Sequence, residues 1–295
     1  MHHAVHYRTQ TVGDVEVFYR EAGRTDAPVI LLLHGYPTSS HMFRELIPRL
    51  AGHFRLIAPD LPGFGKTKAP PRGQFDYTFD NLARVTEDLT DALGLNRYAI
   101  YLFDYGSPTG FRLALARPER VTALISQNGN AYEEGLSSSW ELFRRYWEDP
   151  TQANRDACRV TMTPDATREQ YLEGSDAWLT SPDGYELDIA YLARPGMDDI
   201  QLDFIYDYRT NVAQYPAWHA YLREHRPPVL AVWGKNDPFF LPPGAEAFKR
   251  DQPEAEICFV DAGHFALETR VHEVAGKIID FMSRHGVRTE RGNPG

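Results

Sequence analysis

The chain has 295 residues, with 41 acidic and 31 basic side chains and a net charge of −10. That balance argues against nucleic acid or an anionic membrane as the main partner. A hydrophobic content of 42% excludes a disordered chain, and two cysteines, Cys158 and Cys258, exclude a disulfide scaffold and point to a reducing, cytoplasmic setting. Aromatic residues are unevenly placed. Residues 132–221 hold 9 of the 16 tyrosines and 4 of the 5 tryptophans.

The N-terminal run Met1-His2-His3-Ala4-Val5-His6 lacks the apolar stretch of a signal segment, and its paired histidines do not suggest a metal site. Val15–Arg20 reads as a strand, and Val29–Leu33 as a strand buried on both faces. Arg55–Ala58 is a third. Leu82, Val85, Leu89 and Leu93 recur at helical spacing, with Gly94 as a stop. Tyr98–Phe103 reads as a strand, Phe111–Ala116 as a helix ended by Pro118, and Val121–Ser126 as a strand. This alternation implies a parallel sheet covered on both sides.

From about Asn130 to Leu222 the strand signals give way to helical pieces and polar loops. The alternation resumes at Val229–Trp233 and Ile257–Val260. It ends in a helix carrying Val271, Val274, Ile278, Ile279 and Met282, before Gly286. The expected organisation is an α/β core of residues 1–130 and 222–295, interrupted by a helical cap of residues 131–221. Arg288–Gly295 are polar and expected to fray. No apolar run of about 18 residues predicts a membrane span.

Four segments fall at the C-terminal ends of predicted strands, where ligands of open α/β sheets bind. They are His34-Gly35-Tyr36-Pro37, Phe103-Asp104-Tyr105-Gly106, Asn236-Asp237-Pro238 and Asp261-Ala262-Gly263-His264. Asp104, Asp237 and His264 therefore stand in the chain order nucleophile, acid, base. Ser107 is a weaker nucleophile candidate, because Pro108 after it has no N–H for an oxyanion hole; Asp104 is followed by Tyr105, which has one. Gln127-Asn128-Gly129-Asn130 offers no competing carboxylate. Gly63-Phe64-Gly65-Lys66-Thr67 only looks like a phosphate loop, since Asp60 stands where its first glycine belongs.

With a strand–turn–helix elbow at Leu102–Gly106, this order resembles the α/β-hydrolase fold over nearly the whole chain. The resemblance implies a mostly parallel, doubly wound sheet with a helical cap. Leu102 departs from the small residue usual at that place. An aspartate nucleophile implies attack on saturated carbon and an alkyl ester on Asp104. Water activated by His264, oriented by Asp237, then hydrolyses it. The N–H groups of Tyr36 and Tyr105 would form the oxyanion hole, with His34 shaping that loop and Pro37 in a cis bond.

Three aspartate-nucleophile classes are similar: epoxide hydrolases, haloalkane dehalogenases and fluoroacetate-type dehalogenases. Pro37-Thr38-Ser39-Ser40 and Asp104-Tyr105-Gly106-Ser107 resemble dehalogenases. The tryptophan that haloalkane dehalogenases place after the nucleophile is Tyr105 here, and Tyr36 replaces the asparagine of one subfamily. The basic residues of the fluoroacetate type near the elbow are missing. Tyr146-Trp147-Glu148-Asp149-Pro150 and Asp207-Tyr208-Arg209-Thr210-Asn211 resemble the two cap segments that carry ring-opening tyrosines in soluble epoxide hydrolases. The resemblance thus implies Tyr146 and Tyr208 as proton donors, with Tyr206 and Tyr215 as rivals for the second role. The expected substrate is a small apolar or aryl epoxide plus water, with no cofactor or metal, acting in a monomer or homodimer. A haloalkane or fluoroacetate-type dehalogenase is the alternative.

Overall fold

A computed structural model describes residues 4–286 of the chain. His2 and His3, and the polar end Arg288–Gly295, lie outside the described residues. One eight-stranded sheet organises the core, in the order β1-β2-β4-β3-β5-β6-β7-β8. Its strands are β1 (His6–Val12), β2 (Val15–Ala22), β3 (Val29–Leu33), β4 (Arg55–Pro59), β5 (Tyr98–Leu102), β6 (Val121–Ser126), β7 (Val229–Gly234) and β8 (Glu256–Val260). All are parallel from β4 to β8. The β1–β2 and β2–β4 pairs are antiparallel.

The apolar strands alternate between two cores. Leu31, Leu33, Ile100 and Leu102 pack on one face with α1 (Phe79–Ala92) and α2 (Gly106–Ala116). Ile30, Leu32, Ala99 and Tyr101 pack on the other with the C-terminal helix. Successive side chains of a strand point to opposite faces, so a run apolar throughout must be covered twice.

Between β6 and β7 the chain is helical. It forms α3 (Glu141–Glu148), α4 (Gln152–Ala157), α5 (Pro164–Leu172), α6 (Pro182–Leu192), α7 (Met197–Asp207) and α8 (Arg209–His225), called the cap below. The last helix is α9 (Ala266–Arg284). Thr78, Thr151, Thr163 and Ser181 cap the N-termini of α1, α4, α5 and α6 with their hydroxyls. Among the described residues no helix is long and apolar enough to cross a membrane.

Strand order sets the site. β3 leads to β4 on one side and its other neighbour β5 leads to β6 on the opposite side, so the connections diverge between the ends of β3 and β5, the kind of crevice where such sheets bind ligands. The β3–β5 register pairs Leu33 with Leu102, so residues 34–37 and 103–106 emerge side by side. The β7–β8 register pairs Gly234 with Val260, which brings the Asp237 and His264 loops together.

Candidate active site

Asp104 sits at the turn between β5 and α2 with φ of +46°, a left-handed conformation that aspartate tolerates better than most residues. The turn is tight, with Gly106 N–H donating to Phe103 O at 2.6 Å and Ser107 N–H to Asp104 O at 2.9 Å. A Cβ at Gly106 would overlap the Leu33 carbonyl, and one at Gly35 would overlap the Asp104 carboxylate and Tyr105 N. Both glycines are therefore needed for the elbow to approach the β3 loop.

That approach creates the oxyanion pocket. Tyr36 N–H donates to Asp104 Oδ1 at 2.5 Å, and the Tyr105 N–H also bonds the carboxylate. Tyr36–Pro37 is cis, as expected. His34 lies within the core, accepting Leu61 N–H at Nε2 over 2.9 Å, and burial lowers its pKa, so it acts as a neutral strut for the loop. Ser107 is fully buried and donates to Asn130 O, which excludes it as the nucleophile.

His264 Nδ1 lies 2.7 Å from Asp237 Oδ2, and its Nε2 lies 3.9 Å from Asp104 Oδ2. The second distance exceeds a hydrogen bond, so the imidazole faces the Asp104 carboxylate without bonding it. Phe103, Phe239, Phe240 and Phe265 pack around the imidazole and fix its plane. Asp237 Oδ1 accepts the N–H groups of Phe239 and Phe240, at 2.8 and 3.1 Å. Burial raises the Asp104 pKa to about 6, against the pull of His264 and the two N–H donors. For His264, burial works downward, but the charge and hydrogen bond of Asp237 and the charge of Asp104 outweigh it, and the pKa is raised.

The two cap tyrosines part company. Tyr208 stands at the α7–α8 junction, its ring 5.9 Å from that of Tyr105 and 4.5 Å from Trp140. Its neighbours in sequence dock it. Asp207 accepts the Phe79 N–H at 2.8 Å, and Asn211 accepts from Arg112 at 2.6 Å. Burial above all, then the adjacent Tyr215 hydroxyl and the Asp104 charge, hold the Tyr208 phenol well above its usual pKa, so it stays protonated. Tyr146 differs from the sequence expectation. Its hydroxyl accepts from Arg155 at 3.2 Å, and its ring packs with Cys158, Leu202, Ile205 and Tyr206 inside the cap. An aromatic helix face packs inward by default, and a guanidinium within reach captures the phenol. Of the two rivals, Tyr206 lies under the Arg209 guanidinium, whereas Tyr215 sits behind Tyr208 and accepts from Asn130 at 3.2 Å.

Sequence reasoning missed two polar residues. Asn128 Nδ2 donates to Asp237 Oδ2 at 2.7 Å, and Gln127 Nε2 donates to His264 O at 2.9 Å. Their signal was position: they follow β6, the strand between those bearing Asp104 and Asp237. It also missed that the indole N–H groups of Trp140 and Trp147 are committed, to Phe239 O at 3.2 Å and Ile205 O at 2.6 Å.

Residues 28–271 match the sequence pattern of the alpha/beta hydrolase fold. An uncharacterised hydrolase of Saccharomyces cerevisiae is 45% identical over 285 residues, covering 95% of this chain and 97% of the yeast protein. A haloalkane dehalogenase of Mycobacterium marinum is 30% identical, covering 95% and 94%. Two solved structures share the fold. One is a haloalkane dehalogenase of Bradyrhizobium elkani, with TM-score 0.78, 24% identity and coverage of 96% and 99%. The other is a Pseudomonas aeruginosa protein provisionally assigned as an epoxide hydrolase, with TM-score 0.79, 22% identity and coverage of 95% and 96%. Matched across almost all of its sheet and cap, the chain belongs to the α/β-hydrolase family and is a hydrolase related to the haloalkane dehalogenases.

Proposed function

We propose that this hydrolase converts an apolar or aryl epoxide to a vicinal diol through an ester on Asp104. One observation carries the choice of leaving group. The Tyr208 ring stands 5.9 Å from that of Tyr105, the residue after Asp104, and its phenol feels the Asp104 charge, while the neighbouring Trp140 and Trp147 N–H groups already serve backbone carbonyls. A halide needs free N–H donors; an epoxide oxygen needs a proton.

In this reading Asp104 Oδ2, the oxygen not held by Tyr36 N–H, attacks a ring carbon. The C–O bond breaks and the oxygen takes the Tyr208 proton, leaving a hydroxyalkyl ester. Water then adds to the Asp104 carboxyl carbon as His264 takes its proton, and the oxyanion forms against the Tyr36 and Tyr105 N–H groups. Collapse releases the diol alkoxide, which His264 protonates, and the second proton of the water, left on the Asp104 carboxyl, replaces the one that Tyr208 gave up, so both groups return to their starting states. One water is consumed, and its oxygen stays on Asp104.

A single turnover of styrene oxide in oxygen-18 water tests the route. The label is expected in the Asp104 peptide and not in the first diol; label in that diol overturns it. His264→Gln is expected to stop at the ester, so intact mass rises by one epoxide. Tyr208→Phe separates the leaving groups. Loss of a general acid is expected to slow epoxide opening by about 10²-fold while sparing bromide release from 1,2-dibromoethane.

The second reading, a haloalkane dehalogenase, is supported by the Mycobacterium marinum relative. It expects bromide release without epoxide turnover, and equal losses of both activities in Tyr208→Phe.

A further inference from the structure

Asn128 follows β6 with φ of +49° and is fully buried. An asparagine in this conformation is often only a turn residue, held for its backbone. Here every polar atom of its amide is used. Oδ1 accepts Gly234 N–H at 2.9 Å and Gln127 Nε2 at 2.8 Å. Nδ2 donates to Asp237 Oδ2 at 2.7 Å and reaches Gly234 O at 3.4 Å. With both oxygen lone pairs filled by N–H donors, the amide has one orientation, since turning it over would face donors with donors. Gln127 is fixed in turn, accepting Tyr101 OH at 3.1 Å and donating to His264 O at 2.9 Å.

We propose that Asn128 is a positioning residue for the acid–base pair, setting both the geometry of Asp237 on His264 and the pH at which ester hydrolysis fails. The reading rests on the triad but not on the choice of leaving group. Asp237 Oδ2 carries two donors, the imidazole N–H and the Asn128 amide; its other oxygen carries the Phe239 and Phe240 N–H groups. A neutral donor on Oδ2 draws charge away from the imidazole. Without it the carboxylate stabilises imidazolium more strongly, and His264 must lose its proton at higher pH before it can activate water. The charged groups facing His264 are Asp237 and Asp104. Asp104 is bonded by neither amide, so ester formation stands apart from this effect.

The test uses the full chain, both styrene oxide and 1,2-dibromoethane as ester-forming substrates, and rapid-quench mass spectrometry to follow ester formation and ester decay across pH. Asn128→Gly keeps the left-handed backbone and removes every side-chain bond of the amide. Ester decay is expected to slow about tenfold to a hundredfold, the scale of a hydrogen bond to a charged group, while ester formation changes little. Asn128→Asp keeps an acceptor for Gly234 N–H but replaces the donor with a negative charge. Its acid limb for ester decay is expected to move up by about one pH unit. Gln127→Met, which loosens the Asn128 amide and also frees the His264 carbonyl and the Tyr101 hydroxyl, is expected to move the acid limb the same way more weakly and serves if either other variant fails to fold. Wild-type ester decay and an unmoved acid limb in Asn128→Gly overturn the proposal. So do equal losses in formation and decay, which are the mark of packing alone. If His264→Gln accumulates no ester, the triad reading itself fails, a result separate from these.

Discussion

At the scale of one residue, Asp104 is caught between opposing forces. Burial, with the residue only 7% exposed, favours the neutral acid; His264 and two N–H groups favour the carboxylate. The result, a pKa raised to about 6, has two consequences of opposite sign. In the proposed route the nucleophile is the carboxylate, so ester formation is expected to level off above pH 6 and to fall tenfold per pH unit below it, as single-turnover rates would show. Stability runs the other way. A carboxyl with a raised native pKa binds its proton more tightly folded than unfolded. Its contribution is therefore intact below the ordinary carboxyl range and is lost as pH rises through about 6. Asp104→Asn, which cannot ionise, is expected to be more stable than the parent at pH 8, by on the order of 1–3 kcal/mol. The gap should shrink by about half at pH 5 and close only below about pH 4. Urea denaturation at the two pH values checks it, and a constant gap would contradict the account.

At the scale of elements, a second buried carboxyl ties two helices of the cap together. Asp188 on α6 is fully buried, with Tyr171 OH of α5 donating to Oδ2 at 2.5 Å and Oδ1 without a partner. The nearest guanidinium, Arg44, is engaged by both oxygens of Glu268. Tyr171 also stacks on Phe265 beside His264, with centroids 3.7 Å apart. Burial holds the Asp188 carboxyl well above its usual pKa, against the Tyr171 and Thr38 hydrogen bonds. Its stabilising contribution is thus present at low pH and lost as pH rises through that raised value. Asp188→Asn is expected to match the parent in Tm below the ordinary carboxyl range, under about pH 4, and to exceed it increasingly as pH rises. A parent that holds its Tm against the variant as pH rises would show that Asp188 is ionised throughout.

The same scale shows what the sequence could and could not disclose. β3, β5 and β7 were legible because continuous apolar runs have no other home than a sheet covered twice, and the triad followed from which loops leave those strands. β1 was not legible. His6–Val12 lies at the sheet edge, mostly exposed, so no alternation of apolar residues marks it. Tyr208 could be found because Asp207 and Asn211, its sequence neighbours, are what anchor it against α1 and α2. Tyr146 could not be placed, because its partner Arg155 lies on the next helix and the choice between substrate and guanidinium is made by packing. The hydrogen-bonding role of Asn128 depends on the β6–β7 neighbourhood, which is a matter of strand order rather than of local sequence.

At the scale of the whole molecule, the question is how a substrate reaches Asp104 and His264, which are 7% and 2% exposed. Two cavities, of about 650 and 530 Å³, open along the seam between core residues 63–78 and α7. Arg72 and Tyr77 line both, and Arg72 bridges the seam to Asp203 at 2.5 and 3.0 Å, with Asp199 beside it. The smaller cavity ends on Phe64 and Ile200, and the Phe64 ring lies against Tyr105, the residue after the nucleophile. Gln201 and Arg194 hold the carbonyls of Gly63 and Gly65 to the cap on the same side. If this seam is the route, its latch is a partly exposed ion pair, worth about 1 kcal/mol or less and weakened by salt. Arg72→Ala is then expected to raise kcat/KM for a bulky aryl epoxide by about two- to fivefold and to leave a small aliphatic epoxide unchanged. Raised ionic strength should shift the parent the same way. Ile200→Trp, which narrows the path beside Phe64, is expected to reverse the preference and lower kcat/KM for the bulky substrate alone. Equal effects of either substitution on large and small epoxides would place the route elsewhere.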